Sequence, residues 1–77
     1  MEDWKTRLAD EYRQTKERYE KLKAYNNKEE VEHNLYDGTV VKTEDVYDRG
    51  LRDRQQHAMG EYLHILELRM ELHGITI

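Results

Sequence analysis

Three side chains in the C-terminal third of the chain, Gln55, Tyr62 and Arg69, are of types that can bind an anionic ligand. They are seven residues apart, so in an α-helix they lie along one line. The residues beside that line are apolar: Leu51, Ala58, Ile65, Leu68 and Leu72. An arginine buried in such a face needs a partner, because an unpaired buried charge costs several kcal/mol.

Arg69 has three interpretations. It can form an ion pair with Glu11 or another carboxylate, within the chain or across a dimer. It can instead hold a phosphate or carboxylate of a ligand with both arms of its guanidinium, or reach water from the edge of the face. We expect the ion pair. If a ligand binds, the candidate ligand-binding residues are Gln55, Tyr62, Arg69, Tyr12 and Arg52.

Two Glu-x-x-His pairs, Glu30/His33 and Glu61/His64, have the spacing found in di-iron carboxylate bundles. Such centres also need bridging glutamates that project inward from other helices. The second pair falls on the polar side of its predicted helix, and the first falls in the expected connector. A di-metal enzyme is therefore a remote alternative, and we expect no metal or cofactor.

The sequence has few other residues or motifs that are typical of catalysis. The chain has no Cys and no Ser, and its four glycines are isolated rather than grouped in a phosphate-binding loop. A basic cluster of Arg49, Arg52 and Arg54 with His57 could bind an anion or balance nearby acidic residues, and we favour the second role. The composition predicts a protein that is not an enzyme.

The first predicted helix, about residues 3–26, begins at the N-cap Asp3. Its seam follows heptad-like gaps of four and three residues, and its other faces are charged. Asn26 and Asn27 predict its end, since Asn tolerates the left-handed conformation there. The seam consists of Leu8, Tyr12, Thr15, Tyr19 and Leu22.

The second predicted helix, about residues 48–73, follows a connector at about 27–47. Asp37-Gly38 predicts a turn in that connector, and Thr39–Val41 an extended segment. We expect a short preliminary turn from residue 44, because Gly50 weakens a helix that runs through it. Gly74 predicts a left-handed stop, followed by an apolar contact between Ile75 and Met70.

The apolar face of this second helix is too wide for one neighbouring helix to cover. Met59, Leu63, Leu66 and Met70 form one stripe, and the residues around Arg69 form another. A chain of 77 residues without disulfides also gains stability from self-association. We therefore predict one domain over residues 1–77, an all-α antiparallel helical hairpin with a polar connector that self-associates into a helical bundle.

The charge distribution limits the classes of partner. The net charge is −4, and residues 27–48 carry seven acidic against two basic residues. Binding to duplex nucleic acid would need a basic surface, so we do not expect it. No apolar run is long enough to span a bilayer, and the N-terminus has no signal-peptide core. We expect a cytoplasmic protein that binds no membrane.

Both predicted helices resemble small bacteriophage and prophage proteins described as related to a crAss-like phage hypothetical protein. The residues that carry the resemblance are Trp4, Lys5, Arg7, Leu8, Glu11, Tyr12, Lys16–Leu22, Leu51, Gln55, Met59–Leu63, Leu66, Glu67, Arg69, Gly74 and Ile75. The architecture is also similar to phage helical hairpins that assemble into oligomers and sequester cyclic-nucleotide immune signals. The resemblance implies a phage accessory protein and an antagonist of host defence, acting in the bacterial cytoplasm.

Three functions follow for this chain. As an oligomer of itself, it could sequester a small anionic signal such as a cyclic nucleotide, or block a host defence protein. Alternatively, it is a purely structural, protein-interaction component of the phage. A binding function is favoured because the chain has surplus apolar surface and little that could catalyse a reaction.

Overall fold

The computed structural model describes residues 3–35 and 43–76, with side chains described for 3–32 and 44–76. Two α-helices, α1 (Asp3–Leu35) and α2 (Thr43–Leu72), pack side by side. They are antiparallel, since the Trp4 and His73 rings meet edge to face with centroids 4.7 Å apart near the chain termini. The all-α hairpin fold is thus confirmed. The turn predicted at Asp37-Gly38 and the extended segment Thr39–Val41 lie outside the described residues.

Helix α1 continues past Asn26, where the sequence predicted its end, to Leu35. The backbone of Asn26 is helical and not left-handed. Its side chain donates hydrogen bonds to α2, which keeps this residue within the helix. The following residues are good helix formers, and a Lys28–Glu32 pair at 4.0 Å stabilises the added turns. The end predicted at residue 26 was therefore wrong.

Helix α2 begins at Thr43 and runs without a break through Gly50. The prediction of a separate preliminary turn, with the main helix from about residue 48, was therefore wrong. Glu44 and Asp45 in the first turn interact favourably with the helix dipole and extend the helix toward its N-terminus. A single glycine costs only about 1 kcal/mol in a helix interior, which the flanking turns outweigh.

The C-terminal stop was predicted correctly. Gly74 has a φ of 68°. The Ile75 amide donates to the Met70 carbonyl at 2.8 Å, and the Gly74 amide donates to the Glu71 carbonyl at 3.2 Å. These two bonds form a Schellman motif. Ile75 then packs against the core cluster that contains Met70.

The hydrophobic core lies in the half of the hairpin near the chain termini. Leu66 is its most buried side chain, at 1% exposed, and it clusters with Leu8 and Met70. Leu63, Ala9 and Thr15 are also buried. The predicted seam of α1 faces this core, since its members are all buried or half-buried: Leu8, Tyr12, Thr15, Tyr19 and Leu22.

The second apolar stripe of α2 is exposed. Ile65, Leu68 and Leu72 are 47%, 56% and 77% exposed. Helix α1 covers only the stripe that contains Leu63 and Leu66. The apolar face is therefore as wide as the sequence predicted, and one neighbouring helix covers only part of it.

Candidate functional site

Polar side chains replace apolar ones between the two helices in the half of the hairpin near residues 35 and 43. We call this group the interhelical polar cluster. It consists of Tyr25, Asn26, Glu29, Arg49, Arg52 and Gln56. The spacing of the α1 seam places these side chains there, because Leu22, Asn26 and Glu29 continue its gaps of four and three residues.

Asn26 holds the two helices together in this cluster. Its Nδ2 atom donates to the Arg52 backbone carbonyl at 3.2 Å and to Oε1 of Gln56 at 3.0 Å. Its Oδ1 atom is buried and has no hydrogen-bond partner among the described residues. The amide thus provides a free acceptor between the helices.

Two half-buried guanidinium groups flank Asn26. Arg49 Nη2 lies 3.7 Å from Glu29 Oε2, and Arg52 Nη1 forms an ion pair with Asp48. The arginine side chains are 29% and 23% exposed. The Nε atom of each is buried and has no hydrogen-bond partner among the described residues. A buried unsatisfied donor costs about 1–3 kcal/mol, so the cluster is incompletely satisfied.

Tyr25 adds an aromatic surface to the cluster. The Arg52 guanidinium lies over its ring, 5.0 Å from the centroid. A hydrogen bond to the Glu29 carboxylate and the negative charge of that group raise the pKa of Tyr25, although Arg52 acts in the opposite direction. The phenol therefore stays neutral at pH 7 and is able to donate a hydrogen bond.

A groove of about 530 Å³ lies beside the cluster. It is large enough for a small organic ligand, for which sites of about 300–1,000 Å³ are usual. Gly50 widens it, since a Cβ atom there would meet nothing within 4 Å. The groove is lined by Asn26, Asn27, Glu30, Val46, Arg49, Gly50, Asp53 and Gln56.

Of the five predicted ligand-binding residues, only Arg52 belongs to this cluster. Gln55, Tyr62 and Arg69 are exposed on α2, on the outer stripe. The Tyr62 hydroxyl donates to Glu11 Oε1 at 3.3 Å, whereas the Tyr12 hydroxyl donates to Glu67 Oε1 at 3.0 Å. One copy of the chain does not bring the five residues into one pocket.

Arg69 is exposed, and no ion pair between described residues uses it, so the expected pair with Glu11 does not form within the chain. Glu11, its predicted partner, accepts hydrogen bonds from Thr15 at 3.1 Å and from Tyr62 instead. Arg69 lies on the part of the apolar face that α1 leaves uncovered. A pair formed across two copies stays a prediction.

Tyr12 and Tyr62 both have a raised pKa, with partial desolvation as the largest cause. For Tyr12, the hydrogen bond to Glu67 and the charge of that residue raise the pKa further. For Tyr62, Glu11 raises the pKa, and the nearby Arg69 lowers it. Their hydroxyls donate the hydrogen bonds to Glu67 and Glu11 that connect α1 with α2.

Glu61 and His64 are exposed on α2, and the His33 side chain lies outside the described residues. Within the part of the chain whose side chains are described, no three His, Asp or Glu residues lie close enough together to hold a metal ion. Neither described helix is long and apolar enough to cross a membrane.

The sequence missed Asn26 and Glu29 as site residues because α1 was expected to end at Asn26. The signal was present in the heptad-like spacing, which continues from Leu22 with polar residues. A seam that changes from apolar to polar without losing its period indicates a polar contact between helices.

The chain is thus a small helical hairpin with a half-buried polar cluster between its helices and an exposed apolar stripe. The sequence model of the Sequestin family matches residues 2–72, and the chain belongs to this family. The family name indicates a sequestering protein, which binds a ligand or partner. No curated protein and no solved structure matches the chain significantly.

Proposed function

We propose that this protein sequesters a small anionic signal of the cyclic-nucleotide type, and that the interhelical polar cluster holds the signal. The observation that carries the proposal is the pair of buried guanidinium Nε atoms, on Arg49 and Arg52, that have no hydrogen-bond partner among the described residues. Membership of the Sequestin family supports a sequestering role. We further propose that the protein is a bacteriophage antagonist of host defence, acting in the bacterial cytoplasm as an oligomer.

A phosphate can replace the present partner of Arg52. Asp48 is 60% exposed, and ion pairs to exposed carboxylates contribute about 1 kcal/mol or less. A phosphate that contacts both Nε and an Nη atom would form two parallel hydrogen bonds. The exchange satisfies a donor that has no partner among the described residues, and it releases Asp48, whose side chain is 60% exposed.

The rest of the cluster suits a nucleobase. Oδ1 of Asn26 is a free acceptor, so it can receive a hydrogen bond from an exocyclic amine or ring N–H. The exposed Tyr25 ring can stack on a base, and stacking contributes about 1–3 kcal/mol per base. The adjacent groove has the volume for a ribose and a base.

Titration calorimetry and thermal shift with a panel of cyclic mono- and dinucleotides test this proposal. Inorganic phosphate and linear mononucleotides are the ligand controls. We expect one cyclic nucleotide to raise the melting temperature, because a ligand that binds only the folded state stabilises it. Arg52→Met should weaken that binding by about 2–5 kcal/mol, since it truncates one side of a partly buried charge pair.

Arg18→Met is the matched control. Arg18 is exposed on α1, away from the cluster, so the variant removes the same charge without touching the site. Asn26→Leu should also weaken binding, because it removes the free acceptor. Equal affinities for Arg52→Met and Arg18→Met would refute the assignment of the site. A folded protein that no nucleotide stabilises would refute the ligand class and favour the block of a host defence protein.

A further inference from the structure

The exposed apolar stripe of α2 has strict heptad spacing. Its central line is Leu51, Ala58, Ile65 and Leu72, and Tyr47, Tyr62 and Leu68 lie at its sides. The exposed fractions of the large side chains range from 39% for Leu51 to 77% for Leu72. Residues at this spacing form the seam of a coiled coil, where helices meet along a repeat of seven.

The total exposed surface of the chain is large enough for an interface along this stripe. The chain exposes 6346 Å², whereas area scaling predicts about 5,000 Å² for a folded monomer of 9.4 kDa. The excess is larger than the surface of about 800 Å² that each partner contributes to a standard protein–protein interface. A contact of that size along the stripe would remove more than half of the excess.

We infer that the stripe docks against the same stripe of a second copy, with the two α2 helices antiparallel and crossing at Ala58. This inference specifies the self-association proposed above, and it does not depend on the ligand. In this register Ala58 meets Ala58 of the second copy, and Leu51 meets Ile65 of the second copy. The small alanines let the helices approach closely at the two-fold axis.

The charges beside the stripe are complementary in this register. Along one side, Arg54 lies opposite Glu61 of the second copy. Along the other side, Asp48 lies opposite Arg69 of the second copy. No ion pair between described residues uses Arg54, Glu61 or Arg69, so all three are available in the single chain. The two-fold axis repeats each pair, which gives four intermolecular ion pairs.

These charges also select the register. A shift of half a heptad would pair Leu51 with Leu72 and Ala58 with Ile65, which is acceptable for the apolar residues alone. It would also bring the two Glu61 side chains together and place Arg54 opposite the apolar Leu68 of the second copy, so that Arg54 loses its carboxylate partner. Like charges that meet across an interface cost free energy, so complementary charges fix the register.

Engineered disulfides test this arrangement, because the chain has no cysteine of its own. A disulfide needs Cα atoms about 4.4–6.8 Å apart, so it reports on residues that face each other. We expect Ala58→Cys to cross-link with itself. Mixed Leu51→Cys and Ile65→Cys proteins should cross-link with each other, and neither should cross-link alone. Glu20→Cys, on the exposed side of α1, is the control that should stay unlinked.

Charge exchange gives a second test that leaves the core intact. By light scattering and sedimentation, Arg54→Glu should weaken self-association by about tenfold or more, since it creates two like-charge contacts. Adding Glu61→Arg to the same chain restores opposite charges, so the double variant should associate within about threefold of the native protein.

Three results would overturn the inference. A well-folded monomer at micromolar concentration would remove the interface altogether. Cross-linking of Leu51→Cys with itself would show a parallel pair, and cross-linking of Ala58→Cys with Ile65→Cys would show the shifted register. None of these measurements uses a nucleotide. A failure here is therefore distinguishable from a failure of the proposed ligand.

Discussion

The side chain of Leu66 provides the sharpest test of how the two helices pack. It is 1% exposed and contacts the cluster formed with Leu8 and Met70. Leu66→Ala removes three buried carbons, at about 0.8 kcal/mol each, which gives about 2.4 kcal/mol. The cavity left behind adds to this figure, so we expect a total of about 3–4 kcal/mol. Leu63→Ala should cost a similar amount, because Leu63 is 6% exposed.

Urea denaturation followed by circular dichroism measures these losses. Glu20→Ala, on the exposed side of α1, is the control and should change the free energy of unfolding by less than about 0.5 kcal/mol. Repeating the measurement at several protein concentrations distinguishes substitutions on the buried stripe of α2 from those on its exposed stripe. The loss at Leu66 should be independent of concentration, whereas the loss for the exposed Leu68→Ala should depend on it, as for any oligomer contact. Equal losses at Leu66 and Glu20 would refute the assignment of the faces.

Two further predictions concern the backbone and the tyrosines. Gly50→Ala should stabilise the protein by about 0.5–1 kcal/mol in thermal melts, because Gly50 lies within α2 and a Cβ atom there would meet nothing. Gly74→Ala should destabilise the protein, because the φ of Gly74 is 68°. An increase in stability from both variants would contradict this reasoning. Folding raises the pKa of Tyr12 and Tyr62, so their contribution is present below pH 10 and is lost as pH rises through the folded pKa. Melting temperatures measured from pH 8 to 11 should therefore fall less steeply for the double variant Tyr12→Phe, Tyr62→Phe, and identical slopes would argue against the two hydrogen bonds.

Short-range chemistry explains which parts of the fold the sequence predicted correctly. The α1 seam from Leu8 to Leu22 follows from its spacing alone, since a helix places those residues on one side. Gly74 predicted the stop of α2 because its left-handed conformation needs no information from the rest of the molecule. The single-domain organisation over residues 1–77 stays a prediction.

Long-range contacts explain the errors. Asn26 has the residue type of a helix end, but its amide finds Arg52 and Gln56 on the other helix. Nothing local to Asn26 reveals those partners. Likewise, periodicity shows how wide the apolar face of α2 is, but not which part of it α1 covers. The sequence therefore could not show that Arg69 is exposed in the single chain, and the cluster around Asn26 was missed.

The separation of the apolar core from the polar cluster gives the hairpin a gradient of local stability. Leu66 and Arg52 are fourteen residues apart on α2, which is about 21 Å at 1.5 Å per residue. The helices can separate around Asn26 while Leu8, Leu66 and Met70 stay packed. Backbone amides near the polar cluster should then exchange their hydrogens through such partial openings, and those near Leu66 only through global unfolding. A ligand that bridges α1 and α2 at the cluster would oppose these partial openings, so amide hydrogen exchange should slow near the cluster before it slows near Leu66.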